Sequence, residues 1–98
     1  LSVGWIDGGD WMIYPVNFSE GGEYTVSYRV ASQDGGGHFR LDVNAGAEVL
    51  GEIHVPSTGG WQNWITVSHK IQIPAGPQRL GIYTFSGGYN LNYFEIRK

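Results

Sequence analysis

Two carboxylates near the start of the chain are the first residues that could do chemistry. Asp7 and Asp10 flank a pair of glycines and stand close to aromatic residues. A glycosidase needs two carboxylates that face each other across a cleft. Asp-Gly-Gly-Asp is also a turn sequence in which Asp side chains bond nearby backbone amides, and that interpretation is the simpler one. We therefore expect a turn here and no catalytic pair.

The other reactive residue types do not form a recognised site either. His38, His54 and His69 lack metal-ligand spacing, and each is predicted to lie in a strand. His69 shares its strand face with apolar neighbours, which favours a core or rim histidine. No serine lies in a nucleophile elbow, and glycines 35–37 precede a strand rather than a helix, which excludes a phosphate loop. The expectation is that the chain is not an enzyme.

Aromatic residues beside glycine-rich turns suit a binding site. Trp5 precedes the Asp-Gly-Gly-Asp turn, Trp61 follows two glycines, and Asn90 follows Gly-Gly-Tyr. Aromatic rings stack on the C–H faces of pyranose rings, and amides exchange hydrogen bonds with sugar hydroxyls. Flat apolar walls with a few fixed polar groups make good pockets for small ligands. Because Trp is mostly buried on average, rings that plug the ends of a core are the alternative.

Composition limits the classes of protein to which the chain can belong. Its 98 residues make one small domain, with 16 Gly, 14% aromatic residues and only 15% charged residues. The apolar content of 41% is enough for a core, and the apolar runs are too short for a transmembrane helix. A net charge of -3 argues against a nucleic-acid or anionic membrane partner. The absence of Cys excludes disulfides and thiolate metal sites.

The elements that must position these residues are strands. Apolar residues alternate with polar ones along most of the chain, and turn clusters rich in Gly recur at short spacing. The predicted inward positions are Tyr14, Val16, Phe18, Tyr24, Val26, Tyr28, Val30, Phe39, Leu41, Val43, Ile65, Val67, Ile71, Ile73, Leu80, Ile82, Phe94 and Ile96. We expect His69 to interrupt its strand, Pro15 to mark an edge strand, and one strand to begin at Leu80. The prediction is an all-β, antiparallel β-sandwich of jelly-roll type.

An ordered set of motifs makes the chain resemble the family 6 carbohydrate-binding modules. These motifs are Gly-Trp-Ile-Asp-Gly-Gly-Asp-Trp at 4–11, Pro-Ser-Thr-Gly-Gly-Trp-Gln-Asn-Trp at 56–64 and Tyr-Asn-Leu-Asn-Tyr-Phe at 89–94. Pro-Ala-Gly at 74–76, before Leu-Gly-Ile at 80–82, also fits. The resemblance covers essentially the whole chain.

The resemblance implies a non-catalytic jelly-roll module attached to secreted bacterial glycoside hydrolases. Its expected partners are a polysaccharide (xylan, β-glucan or agar-type galactan) and the catalytic domain of a parent enzyme. The module would then be secreted, and it would hold that enzyme on its plant or algal substrate. Linking a binding module to a catalytic one raises the local concentration of substrate without adding a catalytic group.

The resemblance also implies a binding cleft in the loops at one end of the sandwich. Two aromatic rings hold one sugar there and an Asn bonds its hydroxyls, which places the rings at Trp5 and Trp61 and the amide at Asn90. Asn92 would face the same way as Asn90, and we prefer Asn90 because it lies nearer the loop. Trp64 is predicted to be core, although the loop geometry could exchange its role with that of Trp61.

Three further expectations follow from the resemblance. Some family members have a second site on the face of one sheet, and Trp11 lies where such a site would include an aromatic residue. Family members usually begin with a further strand, whose acidic residues help to bind a structural calcium. That stretch is missing here, so residues 1–98 are expected to be one module without its N-terminal strand. Glu95 is a poor substitute ligand, and a calcium site is expected only if another segment supplies the missing ligands.

Two other function classes compete with sugar binding. A structural or adhesive β-sandwich would bind protein through a sheet edge or an aromatic surface, and it would show a large exposed apolar patch without a sugar-sized cleft. A small glycosidase would release reducing ends from a polysaccharide.

Overall fold

Eight strands in two antiparallel sheets make up the computed structural model, which describes residues 5–6 and 9–98. In chain order they are β1 (Trp5–Ile6), β2 (Trp11–Phe18), β3 (Gly22–Ala31), β4 (Gly37–Val43), β5 (Glu48–Val55), β6 (Ile65–Ile73), β7 (Gly76–Ser86) and β8 (Tyr89–Arg97). The first sheet has the order β1-β8-β3-β6 and the second has the order β2-β7-β4-β5. The predicted antiparallel sandwich of jelly-roll type is confirmed.

The core lies between the two sheets and is built by strict alternation. Tyr24, Tyr28 and the two valines between and after them line the inner face of β3, and Phe39 and Leu41 line the inner face of β4. The rings of Tyr28 and Phe39 meet edge to face with their centroids 4.9 Å apart. Phe94 packs against this core from β8 as a partly buried ring. The aromatic residues predicted to be core therefore lie there.

Pairing between strands decides where the elements begin and end. β2 forms one edge of the second sheet, as Pro15 predicts, because proline has no N–H to give to a ladder. β7 begins at Gly76 rather than at the predicted Leu80, since its first residues pair with the end of β2. β5 was predicted only as a strand around His54, and its pairing with β4 defines its bounds. No described residues form a helix long and apolar enough to cross a membrane.

The prediction that His69 interrupts its strand is wrong. β6 runs without a break from Ile65 to Ile73, and the His69 imidazole stacks on the Tyr28 ring with the centroids 5.5 Å apart. Its Nε2 lies 2.8 Å from the Tyr28 hydroxyl. Burial raises the pKa of Tyr28, so the hydroxyl keeps its proton and can donate it to a neutral imidazole. His69 is thus a rim histidine with a hydrogen-bond partner, as its strand face indicates.

We expect the stability of the fold to decline on mild acidification because of His69. Burial lowers the pKa of this imidazole below the value of about 6.5 that it has in the unfolded chain. Above about pH 6.5, His69 is neutral in both the folded and the unfolded chain. As the pH falls below about 6.5, the unfolded chain binds a proton at His69 before the folded chain does. The free energy of unfolding therefore decreases until the pH is below the pKa of the folded state. Urea unfolding between pH 7.5 and 5 should show this decline. A His69→Gln variant should show a shallower one, and equal slopes would contradict the assignment.

Candidate functional site

The strand register brings two of the three predicted site residues together. Trp5 in β1 pairs with Asn90 in β8, although the two residues lie near opposite ends of the chain. Paired residues in an antiparallel ladder have Cα atoms about 5 Å apart. The side chain of Trp5 and all of Asp7 lie outside the described residues. The backbone of β1 nevertheless stands beside the Asn90 amide.

The third predicted residue reaches the same place through a hydrogen bond. The Asn90 side chain donates from Nδ2 to the carbonyl oxygen of Trp61 over 3.1 Å. This bond holds the loop that carries Trp61 against the start of β8, and it leaves Oδ1 as the acceptor for other groups. The half-buried positions of Trp61 and Asn90 give both residues some access to solvent. Trp5, Trp61 and Asn90 therefore converge at one end of the sandwich, and we call them the clamp.

A β-bulge separates Asn90 from Asn92. Leu91 pairs with Val30 and Tyr93 pairs with Arg29, which leaves Asn92 as an extra residue with no partner in β3. Asn90 and Asn92 both alternate with the buried Tyr89 and Leu91, in line with the expectation that the two asparagines share a face. The bond from the Asn90 side chain to the Trp61 carbonyl favours Asn90 as the clamp residue.

The roles of Trp61 and Trp64 differ in position more than in burial. Both indoles are half-buried. Trp61 lies in a turn closed by the bond from the Asn63 amide to the Gly60 carbonyl, whereas Trp64 directly precedes β6. The loop position of Trp61 suits a ligand contact and the strand-end position of Trp64 suits packing. The assignment of Trp61 to the clamp stays a prediction.

Three loops around the clamp are joined by hydrogen bonds that centre on Ser32 and Thr58. The buried Ser32 hydroxyl donates to the Gly88 carbonyl over 2.7 Å and accepts from the Gly35 amide over 3.0 Å. The Thr58 hydroxyl accepts from the Ser32 amide over 3.1 Å and lies 3.0 Å from the Gly60 carbonyl. This Ser32–Thr58 network fixes the glycine-rich loops that lead to Trp61 and Asn90. Their positions are therefore set before a ligand arrives.

We expect Thr58→Val to loosen these loops. Valine has nearly the shape of threonine but no hydroxyl, so the partly buried Ser32 amide loses its acceptor, at a cost of about 1 kcal/mol or more in the free energy of unfolding. Amide exchange from Thr58 to Asn63 should also become faster. Thr58→Ser keeps the hydroxyl and is the control. If the loop amides of Thr58→Ser exchange as fast as those of Thr58→Val, the hydroxyl does not hold these loops in place.

A second surface lies on the outer face of the second sheet around Trp11. The indole of Trp11 is 46% exposed, in line with the expectation of a surface aromatic residue there. Asp42 is fully buried beside it; its Oδ2 accepts from Arg40 Nε over 2.9 Å, while Oδ1 has no hydrogen-bond partner among residues 5–6 and 9–98. A Cβ on Gly81 would stand 2.5 Å from Asp42 Oδ1 and 2.7 Å from Trp11 Nε1. The bare glycine thus lies between an unpartnered acceptor and an indole.

Asp42 and Arg40 were not singled out from the sequence. They alternate with the core residues of β4, so the strand pattern marks them only as outward-facing. An unpaired carboxylate oxygen away from water is costly and uncommon in folded proteins. That oxygen becomes visible only when β2, β4 and β7 are assembled side by side.

The described residues hold no cluster of metal-ligating side chains. No three His, Asp or Glu side chains among residues 9–98 lie close enough together to hold a metal ion. Glu95 instead accepts from the Arg97 guanidinium. The expectation about calcium stays a prediction, since calcium also binds backbone and amide oxygens. The backbones of Gly9 and Asp10 pair with Thr84, while Asp7 and Gly8 of the predicted turn lie outside the described residues.

Comparison with known proteins gives a consistent family. The sequence matches the carbohydrate binding module (family 6) over residues 1–98. The C-terminal module of the marine laminarinase LamC from Zobellia galactanivorans is 50% identical with a TM-score of 0.89, over 94% of this chain and 75% of that one. A module of Cellvibrio mixtus lichenase 5A, solved in complex with cellotriose, is 47% identical with a TM-score of 0.87, over 95% and 73%.

One curated relative is a much longer protein. The clotting factor G alpha subunit of Tachypleus tridentatus is 47% identical over 91 residues, which are 92% of this chain. The chain spans 14% of the length of that relative. The match thus concerns one module within a larger protein.

Proposed function

This chain belongs to family 6 of the carbohydrate-binding modules, a family of non-catalytic binding modules, and from that membership we propose that it binds β-glucan. The relatives with 50% and 47% identity come from a laminarinase and a lichenase, and the latter module was solved with a cellooligosaccharide. Laminarin, a β-1,3-linked glucan, is the first candidate ligand. The single observation that carries the proposal is the convergence of Trp5, Trp61 and Asn90 at one end of the sandwich.

The proposed mechanism is a clamp on one glucose unit. The rings of Trp5 and Trp61 stack on the two faces of the sugar, where the C–H groups are. Asn90 Oδ1 accepts from a sugar hydroxyl, while one N–H of its Nδ2 donates to the Trp61 carbonyl and fixes the orientation of the amide. Stacked rings supply apolar contact area, and the fixed amide supplies orientation.

The Trp11 surface is a second candidate contact for the same ligand class. The indole of Trp11 is 46% exposed and would stack on a sugar ring there. The space left by the missing side chain of Gly81 is filled by the Asp42 carboxylate and the Trp11 indole, which fixes the two groups side by side.

In its full-length protein, the module would hold a secreted glycoside hydrolase on its substrate. The modules from the laminarinase and the lichenase support this role. The clotting factor relative shows that a similar module also occurs in a protein that is named for clotting and not for hydrolysis. The adhesive sandwich stays the competing proposal. Among the described residues, its best support is the exposed rings of Trp11 and Phe85 on one sheet face.

Affinity electrophoresis of the purified chain on a panel of polysaccharides tests the proposal. We expect laminarin to retard migration most, followed by lichenan, with little effect of xylan or agarose. Retardation by xylan or agarose but not by either glucan would overturn the β-glucan assignment and keep the module's sugar-binding role. No retardation on any polysaccharide would favour the adhesive sandwich. New reducing ends after incubation with laminarin would instead indicate a glycosidase.

A further inference from the structure

We propose that three rings between the clamp and the Trp11 surface form an additional contact for long β-glucan chains. These rings belong to Phe85, His38 and His54, and we call them the ring ledge. The inference rests on the proposed function, and it adds a site that neither the clamp nor the Trp11 surface includes. A chain held at one end in the clamp lies across the ledge with its next sugar units.

The ledge is an ordered row of rings on the outer face of the second sheet. His38 in β4 and His54 in β5 stack with their centroids 4.2 Å apart and an interplanar angle of 15°. The Phe85 ring lies 4.7 Å from that of His38 on the other side. Stacked rings on neighbouring strands also stabilise a sheet, but that role does not require an exposed ring. Phe85 is 44% exposed, so much of its apolar surface stays free for a ligand.

Phe85 alternates with the buried Ile82 and Thr84, so it lies on the outer face of β7, and it sits at an irregularity in the sheet. His38 pairs with Ser86 and Phe39 pairs with Thr84, so Phe85 is an extra residue in β7 with no partner in β4. Thr84 is buried beside it, and its hydroxyl lies 2.9 Å from that of Tyr89 in the core. Bulges of this kind re-aim side chains and are frequent next to binding sites.

Neighbouring groups hold the ledge in place. The Tyr83 ring meets Phe85 edge to face at 5.0 Å, and the Arg40 guanidinium carbon lies 5.7 Å from the centre of the Phe85 ring. His38 Nε2 lies 2.8 Å from a carboxylate oxygen of Glu52. Because these rings are already held in place, they lose little conformational entropy when a ligand binds. An apolar ring with polar groups around it matches a sugar, which has a C–H face surrounded by hydroxyls.

The position of Phe85 along β7 connects the ledge to both other surfaces. Tyr83, two residues before Phe85, pairs with Trp11. Gly88, three residues after Phe85, accepts from Ser32 in the network that fixes the clamp loops. Asn90 follows five residues after Phe85, and five residues span at most about 18 Å. A few sugar units cover that distance, so the occupant of the ledge is the continuation of the chain in the clamp.

The test is the dependence of affinity on ligand length, measured by titration calorimetry with laminaribiose and laminarihexaose. The wild type should bind the hexaose more tightly than the biose. Phe85→Ala should weaken hexaose binding by about three- to tenfold, the range for losing one aromatic contact, and leave the biose unchanged. Phe85→Trp should keep the hexaose advantage, and His38→Gln, which removes the middle ring, should reduce it.

Tyr93→Ala is the matched control, because it removes an exposed ring from the first sheet. We expect it to leave both affinities unchanged. The ledge is refuted if the wild type binds both sugars and Phe85→Ala changes neither affinity, or lowers both equally through an effect on the clamp. In either case the proposed function stands. A wild type that binds neither sugar contradicts the ledge and the β-1,3-glucan assignment together.

Discussion

Trp61→Ala is expected to lower laminarin affinity by roughly 30-fold or more, since a ring that loses its sugar contact forfeits about 2 kcal/mol. Trp5→Ala should have a comparable effect, because each ring is one wall of the proposed clamp. Titration calorimetry with laminarihexaose measures the loss, and circular dichroism shows that each variant is folded. Asn90 bonds the backbone carbonyl of Trp61, which an alanine also has, so the substitution leaves this hydrogen bond intact.

Trp64→Ala separates the two tryptophans of the loop. We expect it to lower the free energy of unfolding while the folded fraction keeps its affinity, because Trp64 lies at the entry to β6. If Trp64→Ala removes binding and Trp61→Ala does not, the two residues have exchanged roles, as the loop motif allows. If both Trp5→Ala and Trp61→Ala bind like the wild type with an intact fold, the clamp assignment is wrong.

Gly37→Ala is expected to cost about 1–3 kcal/mol of folding stability by overpacking the core. Gly37 is buried in β4, and a Cβ there would stand 2.7 Å from Tyr89 Cδ1 and 3.1 Å from Val55 Cβ. The Tyr89 ring cannot withdraw easily, because it stacks on Phe39 and its hydroxyl lies 2.9 Å from that of Thr84. Urea unfolding monitored by circular dichroism gives the loss.

A double-mutant cycle shows whether the collision with Tyr89 is the cause. In a Tyr89→Leu background the obstructing ring is gone, so Gly37→Ala should cost much less than it does in the wild type. If Gly37→Ala lowers the free energy of unfolding equally in the wild type and in Tyr89→Leu, the loss comes from the backbone at Gly37 and not from contact with the Tyr89 ring. Because Tyr89 directly precedes Asn90, we also expect Gly37→Ala alone to weaken laminarin binding.

The fold was largely predictable because apolar and polar residues alternate so regularly along its strands. The pattern of β3 and β4 places Tyr28 and Phe39 in the core without any knowledge of pairing. His69 broke the apolar pattern of β6, and only the Tyr28 hydroxyl across the strand pair explains why a polar ring is tolerated there. The start of β7 depends on the partner strand β2, which a local pattern does not contain.

The residues of the candidate site could be proposed from the sequence, whereas the bonds that connect them could not. Trp5, Trp61 and Asn90 were assigned by motif, while the bond from Asn90 to the Trp61 carbonyl requires the folded loops. Parity along β8 does not separate Asn90 from Asn92 because both alternate with buried residues, and the bond from Asn90 to the Trp61 loop is visible only in the folded chain. The unpartnered oxygen of Asp42 was hidden for a similar reason, since its surroundings come from three strands.

The pairing of Trp5 with Asn90 has a practical consequence for handling this protein. The clamp joins the two ends of the chain, and most other strand pairs also connect residues distant in sequence. Contacts of this kind are slow to form and are lost when the chain is cut or incompletely folded. Retention on immobilised laminarin should therefore select intact, correctly refolded molecules. Elution from such a resin would serve as a one-step assay of refolding yield.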